Sequence, residues 1–207
     1  MIQERLKELR AQMQERGIDI YIVPTSDFHQ SEYVGEYFKA RKYMTGFTGS
    51  AGTAVITKEE AGLWTDGRYF IQAEKQLESS TVKLFKMGEE GVPKVEEYVK
   101  DHLTEGSCIG FDGRVMDAKS GEKYAKMAEE KKAALYVKED LVGNIWKDRP
   151  QLPANKVWIL EDAYAGRSMA DKIADVRTKM QKEGADIHIL SSLYDIAWLL
   201  NLRGGDI

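Results

Sequence analysis

Arg10-Ala11-Gln12-Met13-Gln14-Glu15-Arg16-Gly17-Ile18-Asp19-Ile20-Tyr21-Ile22-Val23-Pro24 reads as a helix that stops and a strand that starts. Ile2, Leu6, Leu9 and Met13 recur at helical spacing, so a helix is expected over residues 2–15. Gly17 ends it. The apolar run Ile18 to Val23, closed by Pro24, predicts a strand. The same unit returns 167 residues later. Arg10, Met13, Gln14, Gly17, Asp19, Ile20 and Ile22 recur as Arg177, Met180, Gln181, Gly184, Asp186, Ile187 and Ile189. Any helix–Gly–strand unit drifts toward this pattern, yet seven matches over thirteen positions exceed what amphipathic spacing gives. The reading is two related α/β domains in tandem, the second cut short at Ile207.

Outward from that unit, helical and strand signals alternate. Strands are expected at Thr53–Thr57 and Gly62–Thr65 as an antiparallel hairpin, then at Thr81–Lys86, Cys108–Phe111 and Leu135–Val137. Helices are expected near Tyr69–Leu77, Val95–His102 and Ser120–Ala134, with Glu32–Tyr43 partly helical. This alternation predicts α/β architecture with a mixed sheet flanked by helices. Asp148 to Asn155 holds two of the four prolines, which favour extended backbone. The domains are therefore drawn as 1–150, a linker at 151–165, and the start of a related domain at 166–207. In that last part a helix is expected over 168–183, a strand over 185–190 and a helix over 193–200.

The 207 residues are 43% hydrophobic and 31% charged, which suits a packed core rather than a disordered or fibrous chain. The net charge of -4, with no long basic run, argues against nucleic acid and anionic membranes as partners. No apolar run reaches the roughly 18 residues that span a bilayer. The charged opening Met1-Ile2-Gln3-Glu4-Arg5 is no signal peptide. The single cysteine, Cys108, makes no internal disulfide, and a reducing, cytoplasmic setting is expected. On its apolar run Cys108 reads as a small buried hydrophobe.

Candidate chemistry is sparse. Gly46-Phe47-Thr48-Gly49-Ser50-Ala51-Gly52 runs toward a predicted strand, whereas a phosphate loop opens a helix, so nucleotide binding is disfavoured. Ser50 lacks the GxSxG frame of a nucleophile. His29, His102 and His188 lie far apart, and no HExxH or CxxC spacing offers a metal site. Asp66-Gly67-Arg68-Tyr69 places a guanidinium straight after a turn. Two readings stay open: a fork offered to a carboxylate or peptide carbonyl, or a salt bridge to Asp66 that caps a helix. Asp27 to Tyr33, with His29 and Glu32, reads as a capped loop that could line a site.

These motifs resemble the N-terminal domain of three-domain Xaa-Pro aminopeptidases, of creatinase/prolidase type. The resemblance rests on Ile22 to Asp27, His29 to Tyr33, Gly46 to Ala54 and Trp64 to Phe70. Leu141 to Pro150 and Asp195 to Gly204 extend it over nearly the whole chain. It implies a middle domain related to the first and a C-terminal domain carrying two divalent metals, usually manganese. It implies peptides with proline at position two as substrates, the C-terminal catalytic domain as partner, and assembly as a homodimer. None of the five family metal ligands falls in this chain, so no catalytic or metal residue is expected here, and the chain alone is expected to be inactive. Arg68 matches the family's substrate-binding Arg, and His29 is expected to shape the same wall. The rival expectation is a non-catalytic module of the same fold that binds peptides or proteins.

Overall fold

A computed structural model of the chain describes residues 1–205. It divides into two compact units, Met1–Pro150 and Gln151–Ile207.

The first unit holds six strands: β1 (Ile20–Pro24), β2 (Thr53–Thr57), β3 (Ala61–Thr65), β4 (Lys83–Lys86), β5 (Cys108–Phe111) and β6 (Ala134–Tyr136). Their order across the sheet is β4-β3-β2-β1-β5-β6. β2 alone runs against its neighbours, with Tyr21 opposite Ile56 in β1–β2 and Leu63 opposite Ala54 in β2–β3. The β1–β5, β5–β6 and β3–β4 pairs are parallel. The mixed α/β architecture expected from the alternation of signals is the one found.

Period-two alternation sends each strand's side chains to both faces. Tyr21 and Val23 join one apolar cluster, and Ile20 and Ile22 join the other. The first face is covered by α1 (Ile2–Glu15), α2 (Ala40–Thr45), α3 (Phe70–Leu77) and α6 (Leu141–Ile145). Leu6, Leu9 and Met13 of α1 are sealed there, each worth about 1.5–3 kcal/mol of burial. The second face is covered by α4 (Val95–His102) and α5 (Ala118–Glu130). Trp64 anchors it, stacked on Phe85 at 4.0 Å and donating Nε1–H to the Pro93 carbonyl at 2.8 Å. Cys108 is 7% exposed inside the first cluster, and burial pushes its thiol up.

In the second unit, β7 (Trp158–Ile159) pairs antiparallel with β8 (Leu202–Arg203). Its helices are α7 (Asp162–Ala165), α8 (Met169–Lys182) and α9 (Leu193–Leu200). Residues 151–165, drawn as a linker, carry the short strand β7 and the helical turn α7. Asp206 and Ile207, part of the expected second domain, lie outside the described residues.

The internal echo is visible in three dimensions. α8 starts 167 residues after α1 and has the same 14 residues of length. Gly17 and Gly184 follow with φ of +66° and +64°. Behind them the Ile18 amide bonds the Met13 carbonyl at 2.8 Å, and the Ala185 amide bonds the Met180 carbonyl at 2.9 Å. The echo also continues beyond the stretch that the sequence marked. Arg5 of α1 donates to the Tyr43 carbonyl at 2.7 Å and sits 4.0 Å over the Tyr43 ring. Lys172, at the matching place in α8, donates to the Trp198 carbonyl at 2.9 Å and lies 4.8 Å from the Trp198 ring. Three residues on, Gly46 and Asn201 each close their helix with positive φ.

The copies diverge where the strand should follow. No strand forms over residues 185–190 among the described residues, contrary to the expectation from the apolar pattern. A strand exists only through hydrogen bonds to a neighbour. Ile20 and Ile22 have β2 and β5 beside them and are 1% exposed; Ile187 and Ile189 are 80% and 84% exposed.

Candidate functional site

The Asp66-Gly67-Arg68 turn begins where β3 leaves the sheet. Thr65, the last residue of β3, is buried and holds the Ala51 carbonyl through Oγ1 at 2.8 Å. Asp66 caps the 3-10 turn Gly67–Tyr69: its Oδ1 accepts the Arg68 amide at 3.1 Å. The Arg68 guanidinium folds back on the same carboxylate, Nε to Oδ1 and Nη2 to Oδ2, both at 2.8 Å. The hydrogen bonds from Arg68 hold the Asp66 carboxyl below its ordinary value, and Asp66 in turn raises Arg68. The intramolecular salt bridge, one of the two open readings, is therefore present. It uses two of the five guanidinium donors, and the Arg68 side chain stays 69% exposed.

Arg68 lies 5.2 Å from the Tyr69 ring, whose hydroxyl meets Ser50 Oγ at 2.6 Å. Ser50 belongs to the glycine loop, which passes from α2 into β2 and opens no helix. Gly52 must be glycine: its φ is +154°, and a Cβ would stand 2.8 Å from the Trp64 carbonyl oxygen.

Behind Ser50 lies a cavity of about 220 Å³ lined by Thr25, Tyr33, Phe38, Arg41 and Lys42 among others. Arg41 is 4% exposed. Its Nε donates to Thr25 Oγ1 at 3.0 Å, Nη1 to the Phe47 carbonyl at 2.6 Å, and Nη2 to the Gly49 carbonyl. It packs 4.7 Å from the Phe47 ring. Burial pushes its pKa down to about 10. The sequence reading missed Arg41. The one available signal was its helical spacing from Met44 and Thr45, which places Arg41 on the buried side of the segment.

His29 sits on an exposed loop. Asp27 Oδ1 accepts the backbone amides of His29 at 2.8 Å and Ser31 at 3.0 Å. Burial opposes the charged form of Asp27, but these amides outweigh it and hold the carboxyl below its ordinary value. The loop reaches the cavity through Glu32 and Tyr33 rather than through His29. Thus Ser50, bonded to Tyr69 of the Arg68 turn, lines the same cavity as Glu32 and Tyr33 of the loop that carries His29.

Two further loop carboxylates have structural partners. Asp112 forms a two-point pair with Arg114 at 3.0 and 2.9 Å, and Asp117 caps α5 through the Ser120 amide at 2.9 Å. Among the described residues, no three His, Cys, Asp or Glu side chains gather to hold a metal ion.

A six-stranded mixed sheet with helices on both faces, an exposed Arg turn beyond β3 and a cation-floored cavity beside it define an α/β domain. The chain belongs to the creatinase/prolidase N-terminal domain family, which matches residues 5–138 and again residues 148–207. It is 42% identical to aminopeptidase P2 of Arabidopsis thaliana, covering all of this chain and 30% of that protein. It is 46% identical to a probable Xaa-Pro aminopeptidase P of Pyrenophora teres f. teres, covering 98% and 31%. The chain thus spans about a third of the curated relatives it matches. The X-prolyl aminopeptidase of Caenorhabditis elegans, described as a cytosolic enzyme with a di-nuclear active site, superposes with a TM-score of 0.87. It is 34% identical over all of this chain and 35% of its own length. A Xaa-Pro dipeptidase of Bacillus anthracis is 26% identical over 70% of this chain, with a TM-score of 0.51.

Proposed function

We propose that this chain is the N-terminal region of a metal-dependent Xaa-Pro aminopeptidase, an enzyme that removes the residue preceding proline at position two of a peptide. The observation that carries this reading is similarity to such enzymes along the whole chain at 42–46% identity. The cytosolic setting of the C. elegans relative supports the same compartment here. The two divalent metals, manganese in this proposal, belong to a catalytic domain outside these residues, in keeping with the di-nuclear site of that relative. Those ions would supply the hydrolytic nucleophile. The residues of this chain bind and wall.

In that role Arg68 offers its remaining donors to a peptide carbonyl or carboxylate while Asp66 fixes the fork's direction. His29 shapes the same wall from the loop that carries Tyr33. Assembly as a homodimer sets this wall beside an active site. In the intact enzyme, Arg68→Ala should raise KM for a Xaa-Pro peptide and lower kcat/KM by about tenfold, the loss of one charged hydrogen-bonding group. Unchanged constants would exclude Arg68 from substrate binding. The isolated chain, assayed on an Arg-Pro-Pro peptide with and without Mn²⁺ beside metal analysis, should show neither turnover nor bound metal. Metal-dependent turnover would place catalytic groups in these residues and defeat the assignment.

A further inference from the structure

We propose that the cavity floored by Arg41 receives the free C-terminal carboxylate of a short peptide, with the terminal apolar side chain against Tyr33, Val34 and Phe38. The inference rests on the reading above that peptides are the ligands, and on four features of the site.

Arg41 is buried, yet all three of its hydrogen-bond acceptors are neutral oxygens: one hydroxyl and two carbonyls. Among the described residues no carboxylate forms an ion pair with it. A buried cation without a counter-charge is costly, and an arriving anion relieves that cost. The fork has five donors, and three are engaged.

The lining is also electropositive. Lys39, Arg41 and Lys42 face a single carboxylate, Glu32. Lys39 is tied to Glu36, which leaves Lys42 as the exposed cation at the rim. Hydroxyls of Thr48 and Ser50 add donors suited to carboxylate oxygens, while the Thr25 hydroxyl donates to the Gly52 carbonyl at 2.7 Å and steadies Arg41.

Size selects the ligand. The cavity of about 220 Å³ is smaller than the roughly 300–1,000 Å³ that encloses a drug-sized molecule. It fits one terminal residue, not a whole peptide. Tyr33, Val34 and Phe38 add an apolar wall, which inorganic anions would not use. Finally, the cavity adjoins the Arg68 turn through Ser50 and Tyr69, so one short peptide can meet both.

The test is backbone and Arg side-chain NMR on the 207-residue chain, titrated with Ala-Pro-Leu as free acid and as C-terminal amide, with acetate and inorganic phosphate as further arms. The free acid should shift the Arg41 Nε–H, Gly49 and Ser50 signals saturably, with an affinity about tenfold above the amide. Lys42→Glu, at an exposed position, should weaken the free acid about tenfold without unfolding the chain. Arg41→Lys, checked first for retained fold, should do the same. No saturable shift at these signals, equal binding of acid and amide, or phosphate binding as tightly as the free acid would each overturn the proposal. Cleavage of a Xaa-Pro peptide by the full-length enzyme is read separately. Cleavage with no cavity binding sinks only the cavity. Cavity binding with no cleavage sinks only the enzyme reading.

Discussion

Asp140 shows how much a single side chain does in the first unit. Its Oδ1 caps α6 through the Gly143 amide at 2.8 Å, and its Oδ2 pairs with Arg149. The two side chains are 12% and 13% exposed, and Arg149 also holds the Tyr37 carbonyl at 2.8 Å and packs 3.8 Å from the Tyr37 ring. Asp140→Ala removes the cap and strands a buried guanidinium. A loss of about 3–5 kcal/mol is expected in urea unfolding, because breaking a buried pair leaves an uncompensated charge. A loss below about 1 kcal/mol would mean that water reaches the Arg149 guanidinium and the pair behaves as a surface one. Tyr98 gives a prediction in pH. Burial first, then its hydrogen bond to Glu60, pushes its phenol from 10 up to about 12. The folded state holds this proton more tightly than the unfolded one. Its stabilisation is complete below pH 10 and is lost as pH rises toward about 12. Phenolate absorbance should show Tyr98 ionising late, and Tyr98→Phe should remove that share of the alkaline loss. At this scale the sequence exposed Arg68 and Asp66, which are neighbours along the chain. It hid Arg41 and Asp140, whose partners Thr25, Phe47, Gly49 and Arg149 come together only through the fold.

At the scale of elements, legibility followed length and pairing. β2, α4 and β5 fall on the residues that pattern alone assigns, because each carries a full period and a clear stop. α6 was unread, since five residues hold too little periodicity and its start depends on the Asp140 cap. α2 blurred into Glu32–Tyr43 for the same reason, after the 3-10 turn Glu36–Phe38. The strand expected over 185–190 failed for a different cause. Its apolar pattern is sound, but pattern supplies no neighbouring strand. The helix stop before β1 is testable. A Cβ on Gly17 would meet nothing within 4 Å, so only its φ of +66° opposes a side chain. Gly17→Ala should cost about 1 kcal/mol in urea unfolding. Gly17→Asn, which tolerates left-handed backbone, should cost less than Gly17→Ala. Equal costs would show that the stop is held by packing rather than by backbone conformation.

Over the whole chain, the two units differ in what holds them. Each of the buried apolar residues of the core lies between Leu6 and Ile145. In the second unit, the fully buried positions among the described residues are polar: Lys172 and Asn201, joined at 2.6 Å, with Asn201 bonded to Asp162 at 3.2 Å and to the Arg167 carbonyl at 2.9 Å. Hydrogen bonds fix geometry but add about 1 kcal/mol each, whereas apolar burial supplies most folding free energy. Meanwhile Trp158, Ile159, Tyr164, Ile187, Ile189 and Trp198 are each more than half exposed. Two outcomes follow. Amide exchange should be slow along β1, β2 and β5, and near the unprotected rate at residues 187–190, where the exposed segment has no strand beside it. Protection at 187–190 equal to that of β1 would mean that this segment finds a pairing partner in solution. The apolar surface should also make the chain self-associate as concentration rises, because a large apolar patch in water is unstable alone. Light scattering settles this. Growth of the apparent mass above 23.5 kDa, with loss of Trp198 quenching, supports association through the second unit. A monodisperse monomer with Trp198 fully quenchable would show that this surface stays wet, and that the Lys172–Asn201 network holds the unit without apolar cover.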